Sequence, residues 1–427
     1  MLALGPVIGI GCGLSVVGET PLDRGDGGLV GSDGSIVGVD GALPEGSAPP
    51  ADGAVADAPS ECAAWKPRHF VPCSLPGPGG AVTTVATGTL TYDTDIPGFS
   101  GAGAPPNPPS AIVDQGGTPA VVISVDAFTV PAGGTLRVVG AKPLIIAAWS
   151  SITIDGTLDV GSHRTEARAG AGSNPEICKA CAAVAGKDEA DNGGGSGGGG
   201  GGAFAGAGGG GGPGDSGKQN AGGAGGKKVD APAIVRGGCS GAMSGKAGPD
   251  SSVTSPSSST TTAPGGAAGG AIELAARSTV TVSATGRVVA GGAGGGGAPL
   301  HSAVGGGGGG AGGYVGFDAP KLVFVSGAVI AANGGGGGAS NAFASTGAPG
   351  NDGAASATPA AGGAAGSCAV QGAAGGAGTS IDGANAGQDD VACGGAGGGG
   401  GAGYVMVFAS GFTPPAGVVF SPAPTIP

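Results

Sequence analysis

Charged and aromatic residues are scarce in this 427-residue sequence: 11% of the residues are charged and 4% are aromatic. So few aromatic side chains are poor material for a conventional core, and so few charges argue against the highly charged kind of disordered chain. Lys and Arg number 17 against 29 Asp and Glu, which gives a net charge of −12. Because phosphate binding needs clustered Lys and Arg, this balance disfavours a nucleic-acid partner.

The sequence also lacks a sustained apolar stripe with helical spacing. Its longest apolar stretch, residues 1–17, is too short and too rich in Gly for a transmembrane helix. What the chain has instead is Gly and Pro, with 105 and 33 residues. No strict Gly-X-Y period connects them, which excludes collagen. This composition by itself favours low complexity or disorder.

The N-terminal segment, MLALGPVIGIGCGLSVV, is apolar and has small residues just before Cys12. It resembles a bacterial lipoprotein signal, in which the Cys becomes the lipidated first residue of the mature chain. No Lys or Arg precedes the apolar run and Gly9 stands where Leu is usual. Simple secretion and a cytosolic location therefore stay open as alternatives. The resemblance implies an exported outer-membrane or cell-surface lipoprotein that contacts the membrane only through a lipid on Cys12.

Residues 18–60 are rich in Gly, Asp and Pro, with Asp-Gly motifs seven residues apart at Asp26, Asp33 and Asp40. Two or three Gly in each repeat make a helix costly, at about 1 kcal/mol for each Gly relative to Ala. We predict an acidic, disordered tether that holds a Gly-rich domain, residues 61–427, away from a membrane.

The eight cysteines fit export, where disulfides persist. Two local pairs, Cys62 with Cys73 and Cys368 with Cys393, would each close a short loop in a region with little core. The motif CKAC, Cys178 to Cys181, allows a redox or half-zinc interpretation, but the sequence has no second CxxC. A structural disulfide that involves Cys239 is the favoured interpretation. If Cys12 carries lipid, one of the other seven is free or paired with another molecule.

An internal repeat indicates the fold. The segments LIIAAWSSITIDGTLDV from Leu144, IELAARSTVTVSATGRVVA from Ile272 and VGFDAPKLVFVSGAVIA from Val315 align through Ala148, Ala276 and Ala319. Alternate positions are apolar, which predicts strands with one buried and one open face. The expected buried sets are Ile146, Leu274 and Phe317; Ile152, Val280 and Val323; Ile154, Val282 and Val325; and Leu158, Val288 and Val329.

Units of this size cannot cover their apolar faces alone and must stack. The sequence therefore predicts an all-β fold, a short irregular parallel β-helix (β-solenoid), with rungs near 121–160, 271–290, 314–332 and 403–410. Long Gly tracts lie between the rungs as insertions. They are either mobile loops or a polyglycine II bundle of extended strands, because ordering entropy and hydrogen bonding nearly cancel.

No constellation for catalysis or metal binding stands out. His69, His163 and His301 have no partner at a ligand spacing and are expected to be surface residues. Acidic pairs at 91–95 and 388–390 leave a weak possibility of calcium, although the Gly-Asp nonapeptides of calcium-bound β-rolls are missing. No other cofactor is expected.

The strand-Gly-strand style of ITIDGTLDV resembles the pectate-lyase-like family of right-handed parallel β-helices. Members that cleave polysaccharides imply a groove with clustered Asp and a basic residue. We expect Thr153, Thr281 and Phe324 at the outward positions, with Asp155 beside Ser283 and Ser326, and so no such cluster on these rungs.

Taken whole, the chain resembles glycine-rich lipoproteins of bacterial surfaces, and its Gly tracts are similar in texture to glycine-rich phage tail adhesins. These resemblances imply a cell-surface or extracellular structural or adhesive protein without catalytic activity. Its partner would be a surface polysaccharide or another cell-surface protein. A polysaccharide-binding or polysaccharide-cleaving β-helix, and a low-complexity surface protein with no specific ligand, are the alternatives. An ice-binding solenoid is a further one, but it would need a flat Thr ladder, and we expect Phe324 to interrupt the one at Thr153 and Thr281.

Overall fold

The computed structural model describes residues 60–189, 195–214, 220–246, 261–300, 303–341, 346–366, 370–387 and 393–427. The predictions for the first 59 residues, with the lipid on Cys12 and the tether, lie outside these ranges. So do those for Cys368, His301 and the acidic pair at 388–390.

Extended structure dominates the described residues, and the helical segments are short: Ser60–Ala64, Pro72–Ser74 and Glu176–Cys181. In chain order, the strands are β1 Val82–Thr83, β2 Gly88–Asp93, β3 Gly98–Ser100, β4 Ser110–Asp114, β5 Pro119–Val125, β6 Phe128–Val130, β7 Gly134–Val139, β8 Leu144–Ala148, β9 Ser151–Ile154, β10 Thr157–Asp159, β11 Ala271–Ala276, β12 Thr279–Val282, β13 Arg287–Val289, β14 Tyr314–Asp318, β15 Lys321–Phe324, β16 Val329–Ala331, β17 Tyr404–Val407 and β18 Val419–Ser421.

These strands form three sheets. Sheet A has the order β4-β5-β8-β11-β14-β17, sheet B the order β1-β6-β9-β12-β15, and sheet C the order β3-β2-β7-β10-β13-β16-β18. From β5 to β17 the chain visits A, B and C in turn, so each strand from β5 to β14 pairs with the one three positions further on. The last strand, β18, lies in sheet C and pairs with β16. All pairs among the named strands are parallel except β2 with β3 and β4 with β5. The predicted all-β class is therefore present, with parallel pairing.

A continuous apolar core lies against the inner faces of all three sheets. One of its rows joins five neighbouring strands of sheet A at matched positions: Ile123, Ile146, Leu274, Phe317 and Val407. Each of these side chains is fully buried. Full burial of one such side chain contributes about 1.5–3 kcal/mol, so the repeated apolar positions stabilise the stack of strands.

The register predicted for the third unit is wrong after Ala319. The structure pairs Val280 with Leu322 and Val282 with Phe324, one residue earlier than the gapless alignment. Val288 pairs with Ile330, one residue later than the predicted partner Val329. A shift by one residue exchanges the faces of a strand. Phe324 is accordingly buried at 6% exposure, whereas Val325 is 41% exposed.

Both faces of sheet A are covered, which also differs from the expectation of one open face. Ile145 and Glu273, on the side away from the main core, are fully buried. A second apolar cluster covers this side and includes Trp65, Phe70 and Phe204. The segment before the first strand and the segment around Phe204 therefore form a second layer on sheet A.

Disulfide bonds cross-link the described segments outside the sheets. Cys62 is bonded to Cys73, the local pair that the spacing favours, and Cys178 is bonded to Cys239. Cys181 and Cys393 are also disulfide-bonded. Among the described residues no cysteine is free.

The Gly-rich insertions leave after sheet C and return to sheet A. They lie between β10 and β11, between β13 and β14, and between β16 and β17. Most described residues of the Gly tracts are buried. The tracts are bonded to one another with a period of three residues, which the segment 197–202 shows. Its successive N–H groups donate to the carbonyls of Lys187, Gly212, Gly306, Val184, Gly209 and Gly309, at 2.8–3.0 Å.

Close backbone contact explains why these tracts are glycine. A Cβ atom on Gly308 would lie 2.0 Å from the carbonyl oxygen of Gly200, and one on Gly201 would lie 1.9 Å from that of Gly399. Such distances are far below van der Waals contact, so a side chain at these positions would separate the tracts.

Candidate functional site

A row of threonines crosses the outer face of sheet B. Thr83 pairs with Thr129, Thr129 with Thr153, and Thr153 with Thr281. The row continues to Val323. Because neighbouring strands lie about 4.8 Å apart, the four hydroxyl groups form a regular line. None of these four side chains is buried.

The corrected register changes the end of this row, where Val323 follows Thr281. Phe324 was expected at its end but packs against Phe317 inside the core, at 5.0 Å between ring centroids. A second, parallel row on the same face contains Ser151, Thr279 and Lys321. The outer face of sheet B therefore presents small hydroxyl-bearing side chains across several strands.

Sheet C carries charges on its outer face, next to the segment that follows β10. The Nε2 atom of His163 lies 2.7 Å from Asp159 Oδ2, and its Nδ1 atom lies 3.6 Å from Asp352 Oδ2. Arg137 lies 3.5 Å from Asp159 and donates from Nε to Glu166 at 2.8 Å. Arg137 and Asp159 lie on the paired strands β7 and β10, whereas His163, Glu166 and Asp352 lie outside the strands.

The protonation of His163 follows from these partners. Its hydrogen bond to Asp159, and then that to Asp352, raise the pKa of His163 to about 10. The imidazole is therefore a cation at neutral pH, and it joins β10 to the Gly-rich loop that contains Asp352. His163 was expected to lack partners; one of them is 189 residues away, and sequence spacing carries no signal for it.

Two carboxylates of the predicted acidic pair at 91–95 share one guanidinium. Arg168 donates to both Asp93 and Asp95, and its bond to Asp93 lowers the pKa of that carboxyl group. In the described part of the chain, no group of three or more His, Cys, Asp or Glu side chains is placed to hold a metal ion.

A polar cluster is buried beside sheet A. His69 Nδ1 lies 2.5 Å from Glu273 Oε2, and the Tyr314 hydroxyl group donates to the same oxygen at 3.4 Å. Burial, followed by the charge of Glu273, raises the pKa of Tyr314 well above its usual value. Nearby, burial raises the pKa of Asp318 to about 6, although its carboxylate accepts a hydrogen bond from the Arg68 N–H.

His69 is 8% exposed, so the expected surface position is wrong. The signal that could have located its partner is Glu273 itself, a carboxylate within the otherwise apolar strand AIELAA. A charge in such a strand needs a partner if both faces are covered. Among the described residues, the Nε2 atom of His69 and the Oε1 atom of Glu273 have no hydrogen-bond partner.

The CKAC motif contains disulfide-bonded cysteines. Cys178 is bonded to Cys239, which is the predicted structural use of this motif, and Cys181 is also disulfide-bonded.

Comparisons of the chain with protein-family models, with curated proteins and with solved structures found no match. In the ranges that the structure describes, no helix has the length and apolar character needed to cross a membrane.

Proposed function

We propose that the chain is a structural or adhesive protein of the cell surface or extracellular space, and that it binds a polysaccharide through the threonine row of sheet B. In this proposal the three sheets are the sides of one parallel β-solenoid. The Gly tracts form a polyglycine II bundle against it.

The succession of strands supports the solenoid. Sheets A, B and C are visited in a fixed order, and one inner core is shared by all three. The three-residue period of the hydrogen bonds supports the bundle, because a polyproline II helix has three residues per turn. Together they provide a rigid body on which an exposed sheet keeps its geometry.

The threonine row is the observation that carries the binding proposal. A polysaccharide repeats its hydroxyl groups at regular intervals, and the row repeats donors and acceptors at every strand. A single hydrogen bond contributes only about 1 kcal/mol net. The row is already ordered in the folded protein, so each further hydrogen bond adds to the affinity without a new cost of ordering the row. A ligand with repeating hydroxyl groups therefore gains the most affinity.

Sedimentation with insoluble polysaccharides tests this proposal. The triple variant Thr129→Val/Thr153→Val/Thr281→Val removes hydroxyl groups and keeps the branched shape. Sheet C offers a matched control, Thr89→Val/Thr135→Val/Thr157→Val, because these three residues form a similar row there. We expect the protein to sediment with at least one of cellulose, chitin and peptidoglycan, with affinity at least tenfold lower for the sheet B variant only.

Equal binding by both variants would show that the hydroxyl row is not the site. Absence of sedimentation with every polysaccharide would favour the alternative of a surface protein with no specific ligand.

Polysaccharide cleavage is a second candidate because of Arg137, Asp159, His163 and Asp352. The carboxylates lie beside cations on the outer face of sheet C, as cleavage in the resembling family implies. Release of new sugar ends from soluble pectate or glucan, abolished by Asp159→Asn, would support cleavage. If the unaltered protein releases no new sugar ends, cleavage is ruled out and polysaccharide binding is the function that stays proposed.

The proposal places the protein outside the cytoplasm, anchored by a lipid on Cys12 or secreted. Fractionation of a bacterial host that expresses the full chain and its Cys12→Ser variant tests this step. The lipid anchor predicts that only the unaltered chain is found with the membrane.

A further inference from the structure

A cavity of about 530 Å³ lies between the turn that joins β4 to β5 and the segment from Val229 to Arg236. Its size is within the range of small-molecule sites. Much of its wall is apolar, formed by Ile177, Val229, Pro232 and Ile234. An apolar wall of this kind suits a hydrocarbon body.

Arg236 lines this cavity and is only 2% exposed. Its guanidinium group lies over the ring of Phe204, with Cζ 4.5 Å from the ring centroid. Its hydrogen bond is a long one, from Nη1 to the carbonyl of Gly237 at 3.4 Å. In the described part of the chain, it forms no ion pair with a carboxylate.

An arginine in this position is unusual, because buried charges in proteins are normally paired. Burial lowers the pKa of Arg236 to about 10. The group nevertheless stays charged at neutral pH, and a guanidinium has five N–H donors. Most of these donors therefore have no acceptor among the residues that the structure describes.

Gln115 adds a second donor to the same cavity. Its Oε1 atom accepts a hydrogen bond from the Val235 N–H at 2.8 Å, and this bond fixes which end of the amide is the nitrogen. The Nε2 atom is buried and has no hydrogen-bond partner in the described ranges. Two elements of the wall thus supply N–H donors that lack acceptors.

We propose that this cavity binds a small monocarboxylate with an apolar body, of the size of a medium-chain fatty acid. The carboxylate accepts hydrogen bonds from Arg236 and Gln115, and its hydrocarbon chain contacts Ile177, Val229 and Ile234. Asp230, which is exposed and also lines the cavity, disfavours a second negative charge on the ligand. This site lies on the covered side of sheet A and is independent of the threonine row.

Calorimetric titration of the full, oxidised chain with decanoate and with decanol tests the site. The two probes share an alkyl chain and differ in charge. We expect decanoate to bind at least tenfold more tightly than decanol. Arg236→Met, which keeps most of the apolar stem, should remove that difference, and Gln115→Leu should weaken decanoate several-fold. Lys227→Met is the matched control, because Lys227 is an exposed cation just before Val229 that does not line the cavity, and its loss should leave both affinities unchanged.

Arg236→Lys keeps the charge and covers the case in which the Met variant fails to fold, and it should retain the preference for decanoate. Equal affinities of the unaltered protein for the two probes, or no binding of either, would overturn the proposal. So would an unchanged preference in folded Arg236→Met.

Discussion

His69 and Glu273 are 204 residues apart in the sequence, yet Nδ1 of the histidine lies 2.5 Å from Oε2 of the glutamate. Both side chains are almost fully buried. The contact joins the segment before the first strand to the outer face of sheet A, where Tyr314 shares the glutamate oxygen. A buried pair of this kind does not guarantee net stability, because removing two polar groups from water costs several kcal/mol.

The pair predicts strong coupling between two substitutions. Glu273→Leu alone leaves the imidazole without an acceptor and should lower the free energy of unfolding by about 3 kcal/mol. His69→Leu alone should have a similar effect, since it leaves the buried carboxylate with the 3.4 Å hydrogen bond from Tyr314 and without the imidazole. The double variant should lose clearly less than the sum. Urea unfolding of all four proteins gives this double-mutant cycle; additive losses would mean that the two groups do not interact.

His163 predicts a stability contribution that depends on pH. Its pKa is raised from the usual 6.5 to about 10 by Asp159 and Asp352, with burial and then Arg137 opposing. The folded state therefore binds the proton more tightly than the unfolded state does. The stabilisation is complete below pH 6.5 and is lost as the pH rises to 10.

We expect His163→Gln to lower the free energy of unfolding by about 2 kcal/mol at pH 6. This is less than the pKa shift would give at about 1.4 kcal/mol per pKa unit, because solvent screens a side chain that is part exposed. The difference from the unaltered protein should shrink toward pH 10. Urea unfolding at pH 6, 8 and 10 measures it. An imidazole NMR titration with a midpoint near 6.5 would contradict the contact.

The corrected register predicts opposite outcomes for two neighbours in the third unit. Phe324→Ala removes a core side chain that contacts Phe317 and should cost about 3–5 kcal/mol. Val325→Ala changes a 41% exposed side chain and should change the free energy of unfolding by less than about 0.5 kcal/mol. Chemical denaturation of both variants decides between the registers, because the gapless alignment predicts the larger loss at Val325.

The repeat could be predicted from the sequence because alternate apolar positions reflect the inner face of a strand. The error after Ala319 has a physical cause. Ala276 precedes β12 by three positions, whereas Ala319, its equivalent, precedes β15 by two. The connection from β14 to β15 is therefore one residue shorter than the connection from β11 to β12, and the segment KLVFV has apolar residues on both faces of the strand. Periodicity alone could not locate that deletion.

The polar sites could not be predicted because they depend on how the insertions fold back. Asp352 reaches His163 from a Gly-rich loop, and Arg236 reaches its cavity from another. For the Gly tracts, however, a signal was present in AGGAGGK at 221–227. A residue other than glycine stands at every third position of this segment. Ala224 and Lys227 are exposed, whereas Gly223 and Gly226 are buried. That period is the one expected for an outer strand of a bundle of three-residue helices.

The packed Gly tracts predict that a single methyl group can separate them. Gly308 donates to the Ala242 carbonyl at 2.9 Å, and a Cβ atom on Gly308 would meet the Gly200 oxygen at 2.0 Å. Gly308→Ala should therefore lower the free energy of unfolding by at least about 2 kcal/mol, since neither backbone can move without breaking bonds to its other neighbours. Gly387→Ala is the matched control, because no described residue has an atom within 4 Å of the added atom.

Hydrogen exchange by mass spectrometry separates a packed tract from a mobile one. In the unaltered protein, residues 334–338 should be protected like the neighbouring strands β15 and β16, since their N–H groups donate to other tracts at 2.8–2.9 Å. Gly308→Ala should expose the tracts around Gly308 and leave the inner core of the sheets protected. Fast exchange of residues 334–338 in the unaltered protein, or equal stability of the Gly308 and Gly387 variants, would mean that the tracts are not held by one another.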